Sequence, residues 1–126
     1  WQALDEKRVM ACLAAVGMQV LVESLPMQMR TRLGEIGSSL SAGQIQRLLL
    51  ARALYRQPDY LFVDEGTAHL DRGGAVELAE LLRAVDCTRL AVTHDMALAA
   101  RADRVWHVSK GSVREVKPLE VEQLRF

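Results

Sequence analysis

What this sequence has little of narrows its chemistry first. Charge of either sign is not in excess: 16 Lys and Arg face 16 Asp and Glu, for a formal net charge of +0. No global field therefore draws the chain to nucleic acid or to an anionic membrane. No apolar stretch approaches the roughly 20 residues that cross a bilayer, and the sequence does not open with the pattern of a signal peptide. If a membrane matters, another segment or subunit must supply it. Cysteine is scarce: Cys12 and Cys87 lie far apart, in different expected elements, with no partner at a metal-ligand spacing. Both are read as buried, reduced thiols, the usual state in the cytosol. Repeats and low-complexity tracts are absent as well.

What is present suits one small globular domain, with 126 residues, half of them hydrophobic and a quarter charged. The sequence opens on Trp1 inside an apparent helical region, so it is expected to be a piece of a longer chain. From Asp5, a helix cap, Val9, Met10, Leu13 and Val16 recur at helical spacing up to Gly17. A second short helix over 20–25 ends at Pro26, and 27–39, with two glycines and no period, reads as an irregular connection. A longer helix is expected over 41–56, a strand over 60–64, and a helix from Asp71 that turns Val76, Ala79, Leu82 and Val85 inward. A strand over 88–93, a short helix over 96–100 and strands over 105–108 and 112–116 follow, the last two joined by Lys110-Gly111 as a hairpin. Pro118 suits the first turn of a terminal helix, with 120–126 a candidate amphipathic cover for the sheet edge. Strands alternating with helices predict an α/β fold, mostly parallel with right-handed crossovers and an antiparallel edge hairpin.

Two stretches carry chemistry. In Leu40-Ser41-Ala42-Gly43-Gln44, Ser41 and Gln44 form a capping box: the serine oxygen accepts from the third backbone N–H of the helix and the glutamine reaches back. The helix so opened presents free N–H groups and a dipole to an anion. In Tyr60-Leu61-Phe62-Val63-Asp64-Glu65, the apolar run is too uniform to alternate and predicts a strand buried on both faces, with carboxylates at its carboxyl end, where open α/β sheets bind ligands. Taken singly, the first is an ordinary helix start and the second an acidic helix cap. Order and spacing decide otherwise. Gln46-Arg47 continue the helix, Pro58 stops it, the strand follows at once, and Ala68-His69-Leu70-Asp71 and Thr93-His94-Asp95 come after.

In that order the four motifs resemble the signature motif, Walker B strand, D-loop and switch-histidine loop of ATP-binding-cassette (ABC) ATPases. The resemblance implies a partial P-loop NTPase (RecA-like) core: 1–40 as the end of its α-helical subdomain, and 41–126 as the signature helix and the Walker B half of the core. It implies ATP and Mg²⁺ as cofactors. Asp64 would hold Mg²⁺ through water, Glu65 would polarise the water that attacks the γ-phosphate, and His94 would contact the γ-phosphate or hold Glu65 and that water in line. Phosphoryl transfer asks for little more than an aligned nucleophile and neutralised charge. Leu40, Ser41, Ala42, Gly43, Gln44 and Asp71 would meet nucleotide, the signature residues on a partner's ATP. His69 and His107 have no such support and are read as structural or exposed.

The sequence departs from the family in three places. Ala42 stands where glycine is commonest in the signature, restricting the backbone near phosphate. Gly66-Thr67-Ala68 stand where a small residue, Thr and Ser are usual, and Gly66 is expected to loosen the loop that carries Glu65. No G-x-x-x-x-G-K-[ST] occurs, so the Walker A half is absent from this sequence, and an ATPase activity of the whole protein is not expected of this segment alone. The implied partners are a second nucleotide-binding domain and the transmembrane domains of a transporter at the cytoplasmic face of the cell membrane, with no nucleic acid. The signature region and Leu50-Ala51-Arg52-Ala53-Leu54-Tyr55-Arg56-Gln57-Pro58 are most similar to exporters, among them the peptidase-containing bacterial exporters of peptides, bacteriocins and toxins. Two other readings stay open here: a soluble ABC ATPase of DNA repair or translation, and a truncated, catalytically silent module that completes a full-length partner's site.

Overall fold

A computed structural model describes residues 4–33, 40–67 and 70–123. The chain divides into two compact units, residues 1–61 and 62–126. In the first, α1 (Glu6–Ala15) starts at Asp5, whose carboxylate accepts from the Arg8 N–H, and α2 (Gln19–Ser24) follows closely. A 3-10 turn, Gln28–Arg30, occupies part of the segment expected to be irregular. The helix expected over 41–56 is α3 (Ala42–Leu54). α3 packs on α1, and Leu13, Val16, Met18, Val22, Leu50 and Ala51 are buried, each large aliphatic among them adding about 1.5–3 kcal/mol. The Tyr55 hydroxyl accepts from the Asp5 N–H at 3.0 Å, and Arg8 stacks over the Tyr55 ring, so the two helices are also pinned at one end.

The second unit takes over within β1 (Tyr60–Asp64), and continues with α4 (Arg72–Ala84), β2 (Thr88–Val92), α5 (Met96–Ala99), β3 (Val105–Ser109) and β4 (Ser112–Val116). β1, α4 and β2 form a βαβ unit with the strands paired in parallel. β3 and β4 pair antiparallel from Val105↔Val116 to Ser109↔Ser112, around Lys110 and Gly111 at φ 48° and 75°, the two left-handed positions of a tight hairpin turn. The parallel pair and the hairpin are separate two-stranded sheets among the described residues. Ala75, Leu78, Ala79, Leu82, Leu98 and Val121 are the core, α4 packing on α5 and α5 on the 3-10 helix Pro118–Gln123.

Four expectations are corrected. Strand β1 is not buried on both faces: Leu61 is 7% exposed but Phe62 is 72% exposed. Side chains of a strand alternate between faces, and the described residues cover only one of them. The buried stripe of α4 is Ala75, Leu78, Ala79 and Leu82, with Val76 and Val85 only half-buried, because residues at i, i+3, i+4 and i+7 share one face of a helix. The terminal helix is of 3-10 type and leans on α5, with residues 124–126 outside the described part. Cys12 and Cys87 are free, as expected, but half-buried. Their helix-flank and loop positions leave one side of each thiol uncovered.

Candidate active site

The carboxyl ends of β1 and β2 in the second unit bring three of the expected residues together. Asp64 closes β1 with its side chain exposed, and Glu65 follows in the left-handed region at φ 48°. For a residue with a Cβ this backbone costs on the order of 1–3 kcal/mol and persists only where neighbours over-determine it. They do so here. The Glu65 N–H donates to the Val92 carbonyl of β2 at 2.9 Å, and the next residue, Gly66, sits so close to the strand that a Cβ would lie 2.5 Å from Val63 Cγ1. Gly66 is therefore packed against its own strand, which tightens the loop and corrects the expectation that it would loosen it.

This kinked backbone turns the Glu65 carboxylate toward the loop after β2. Its Oε1 lies 3.4 Å from His94 Nε2, with the side chains 39% and 80% exposed respectively. Solvent screens a pair this open, so its worth lies in orientation and not in stability. Behind it, Thr67 is buried with its hydroxyl 3.4 Å from that of Thr93. Asp95 caps α5 by accepting from the N–H groups of Ala97 and Leu98 at 2.7 and 3.1 Å, which fixes the far side of the His94 loop. The sequence contains Thr67 and Thr93 in plain view, but their meeting across 26 residues has no signal in spacing.

The other expected residues have different surroundings. Asp71 caps α4, its Oδ1 accepting from the Gly74 N–H at 2.8 Å, while Ala68 and His69 lie outside the described residues. Leu40, Ser41, Ala42, Gly43 and Gln44 belong to the first unit. There the capping box is complete: Ser41 Oγ accepts from the Gln44 N–H at 3.2 Å and Gln44 Oε1 accepts from the Ser41 N–H at 2.9 Å. Helix geometry leaves the Ala42 and Gly43 N–H groups without an intrahelical acceptor, and Ala42 itself is exposed. His107 is a half-buried residue of β3, opposite Arg114.

The donors fit Mg²⁺ and nucleotide. No three His, Cys, Asp or Glu side chains gather into a protein-only metal cage among the described residues. Mg²⁺ rarely uses such a cage; one or two carboxylates, water and substrate phosphates hold it, and the exposed carboxylate of Asp64 at the end of β1 has the chemistry for that.

Comparison with known proteins identifies the family. The ABC transporter family model matches residues 4–68. The chain belongs to the ABC transporter family. The colicin V secretion/processing ATP-binding protein CvaB of Escherichia coli is 35% identical over 104 residues, covering 82% of this chain and 15% of CvaB. The mating factor M secretion protein mam1 of Schizosaccharomyces pombe is 38% identical over 111 residues, covering 88% of this chain and 8% of mam1. A solved bacterial Atm1-family ABC exporter with ATP bound superposes with a TM-score of 0.80 at 25% identity, covering 98% of this chain and 22% of that one. The chain thus spans 8–22% of the length of these three ABC proteins, and its fold is a part of their P-loop NTPase domain.

Proposed function

We propose that this chain is the C-terminal part of the ATP-binding and hydrolysing domain of an ABC exporter, with 1–40 the end of the helical subdomain and 41–126 the signature helix and Walker B half. The observation that carries this reading is the strained Glu65, held by Val92 and Gly66 with its carboxylate 3.4 Å from His94 at the ends of two parallel strands. Backbone strain and an exposed acid–imidazole contact add little to folding, but they suit a group that must meet a water molecule in one orientation. Glu65 is the general base and His94 holds its carboxylate. Asp64 is the Mg²⁺ ligand, and bound Mg-ATP supplies the phosphoryl group and the charge that the ion neutralises.

Leu40, Ser41, Ala42, Gly43 and Gln44 are the surface offered to the nucleotide of a second ATP-binding domain, and Asp71, the cap of α4 in the second unit, is a further nucleotide contact. The complete capping box supports this: it orders the helix start before any anion arrives, so the Ala42 and Gly43 amides need no rearrangement. The whole protein is then a dimer of such domains joined to transmembrane domains at the cytoplasmic face of the membrane. Its cargo is a peptide or toxin, as the names of the secretion relatives suggest. The chain by itself is inactive, because the backbone cradle and lysine of a phosphate loop do not occur in its sequence. Calorimetry of the folded chain with Mg-ATP tests this directly. No heat of binding is expected up to roughly millimolar nucleotide, and affinity near 1 μM, worth about 8 kcal/mol, would contradict the reading.

A further inference from the structure

The loops that carry Glu65 and His94 are joined behind the pair by side chains that the chemistry above does not use. Thr67 is 6% exposed, and a hydroxyl buried to that degree must find a partner. The partner is Thr93 Oγ1, which also accepts from the Asp95 N–H at 2.9 Å. That oxygen keeps a second lone pair and a hydrogen of its own, so either threonine hydroxyl can donate to the other while Thr93 also holds the Asp95 N–H, and the members of this short chain polarise one another. Each end is anchored. Asp95 is fixed on the start of α5, and the Thr67 carbonyl accepts from the Leu70 N–H at 3.0 Å. The Glu65–Val92 backbone bond and the threonine contact thus tie the same two loops at two points, and two points are what stop one loop swivelling about the other.

We propose that Thr67 and Thr93 are positioning residues for ATP hydrolysis: their hydroxyl contact sets the spacing of the two loops and so holds the Glu65 carboxylate against His94. The proposal rests on the reading of Glu65 and His94 as the hydrolytic pair. At 3.4 Å the contact is longer than an ordinary O–H···O bond and has room to shorten as the site closes on nucleotide, as hydrogen bonds around catalytic groups commonly do. A methyl in place of either hydroxyl would fill the space without directing anything.

The test is steady-state ATP hydrolysis by the complete transporter, with kcat and KM measured separately. Glu65→Gln is the reference: turnover retained within about threefold of wild type overturns both the reading and the proposal, whereas its loss by about a hundredfold or more leaves the threonines to be judged alone. Thr67→Val, which keeps shape and removes the hydroxyl, is expected to lower kcat about tenfold with KM for ATP nearly unchanged, the effect of a misplaced catalytic group. Thr67→Ser restores kcat to within about twofold, since the hydroxyl returns. Thr93→Val loses at least as much as Thr67→Val, since it also removes the acceptor of the Asp95 N–H, and the double variant loses no more than Thr93→Val alone, because the threonine contact is shared. The proposal is overturned if Thr67→Val keeps its kcat, if Ser and Val variants lose equally, or if the two Val losses multiply. Where Thr67→Val does not fold, Thr93→Val against Thr93→Ser makes the same comparison.

Discussion

Replacing Arg89 with methionine should destabilise this fold by loosening the end of α4. Arg89 lies in β2 and reaches back over the end of α4, where its Nη1 lies 2.7, 2.8 and 3.0 Å from the carbonyls of Leu82, Arg83 and Val85. These carbonyls lie at the end of the helix, where intrahelical donors run out, and the cation also meets the negative end of the helix dipole. One nitrogen with two hydrogens sustains two full bonds at a time. The Leu82 and Val85 contacts are partly buried, while the Arg83 contact is exposed and water can replace it. Hydrogen bonds to a charged group contribute about 1.5–3 kcal/mol each, and water entering from the open side returns part of that, so the net loss is about 2–3 kcal/mol. Methionine keeps the apolar stem, which confines the change to the lost donors. Arg89→Lys should fall between, because an ammonium keeps the charge but gives up the second nitrogen, Nη2, which lies 4.0 Å from Asp103 Oδ2. Urea unfolding followed by circular dichroism gives the total, and amide exchange at Val85, whose N–H bonds to Leu82, shows whether the helix end opens first. A stability within about 0.5 kcal/mol of wild type for Arg89→Met, the range of neutral surface changes, would mean that these bonds do not hold the helix end.

Two further outcomes follow from the same geometry. Ser41→Ala should lower stability by about 1 kcal/mol through loss of the cap; if the signature residues also meet a partner's nucleotide, it weakens ATP-driven dimerisation of complete domains, and sedimentation at saturating ATP separates the two effects. In the hairpin, Arg104 donates to both Glu115 oxygens at 2.8 and 3.1 Å and stacks on Trp106. Hydrogen bonding to Arg104 holds the Glu115 carboxyl below the usual carboxylate range. A depressed folded pKa adds stability above the unfolded pKa and loses it as pH falls through the folded value. Trp106 fluorescence in a Trp1→Phe background should therefore change on acidification below the ordinary carboxylate range, and Glu115→Gln should abolish that step.

The sequence made β1, α3 and the hairpin legible because each rests on local chemistry. The capping box at Ser41 and Gln44, the breaks at Pro58 and Gly111, and the apolar run of β1 act within a few residues of themselves. What sequence did not show is what depends on approach between distant segments. Gly66 read as freedom and proved to be close packing against Val63. The left-handed Glu65 has no glycine or asparagine to announce it, because its strain is imposed by Val92 across the sheet. The contact of Thr67 with Thr93 and the reach of Arg89 over α4 are likewise long-range. The exposed face of β1 marks another limit: an unbroken apolar run says what a strand can be buried against, and not which segment covers it.

The most direct test of the account is single-turnover hydrolysis of Mg-ATP by the complete ATP-binding domain carrying Glu65→Gln, with nucleotide binding measured on the same sample. The substitution preserves shape and removes the charge that would draw a proton from water. Binding should be unchanged while the hydrolytic step slows by about two to four orders of magnitude, the span of a positioned general base. Hydrolysis within about threefold of wild type, with binding intact, would show that the strained carboxylate beside His94 is not the group that activates water.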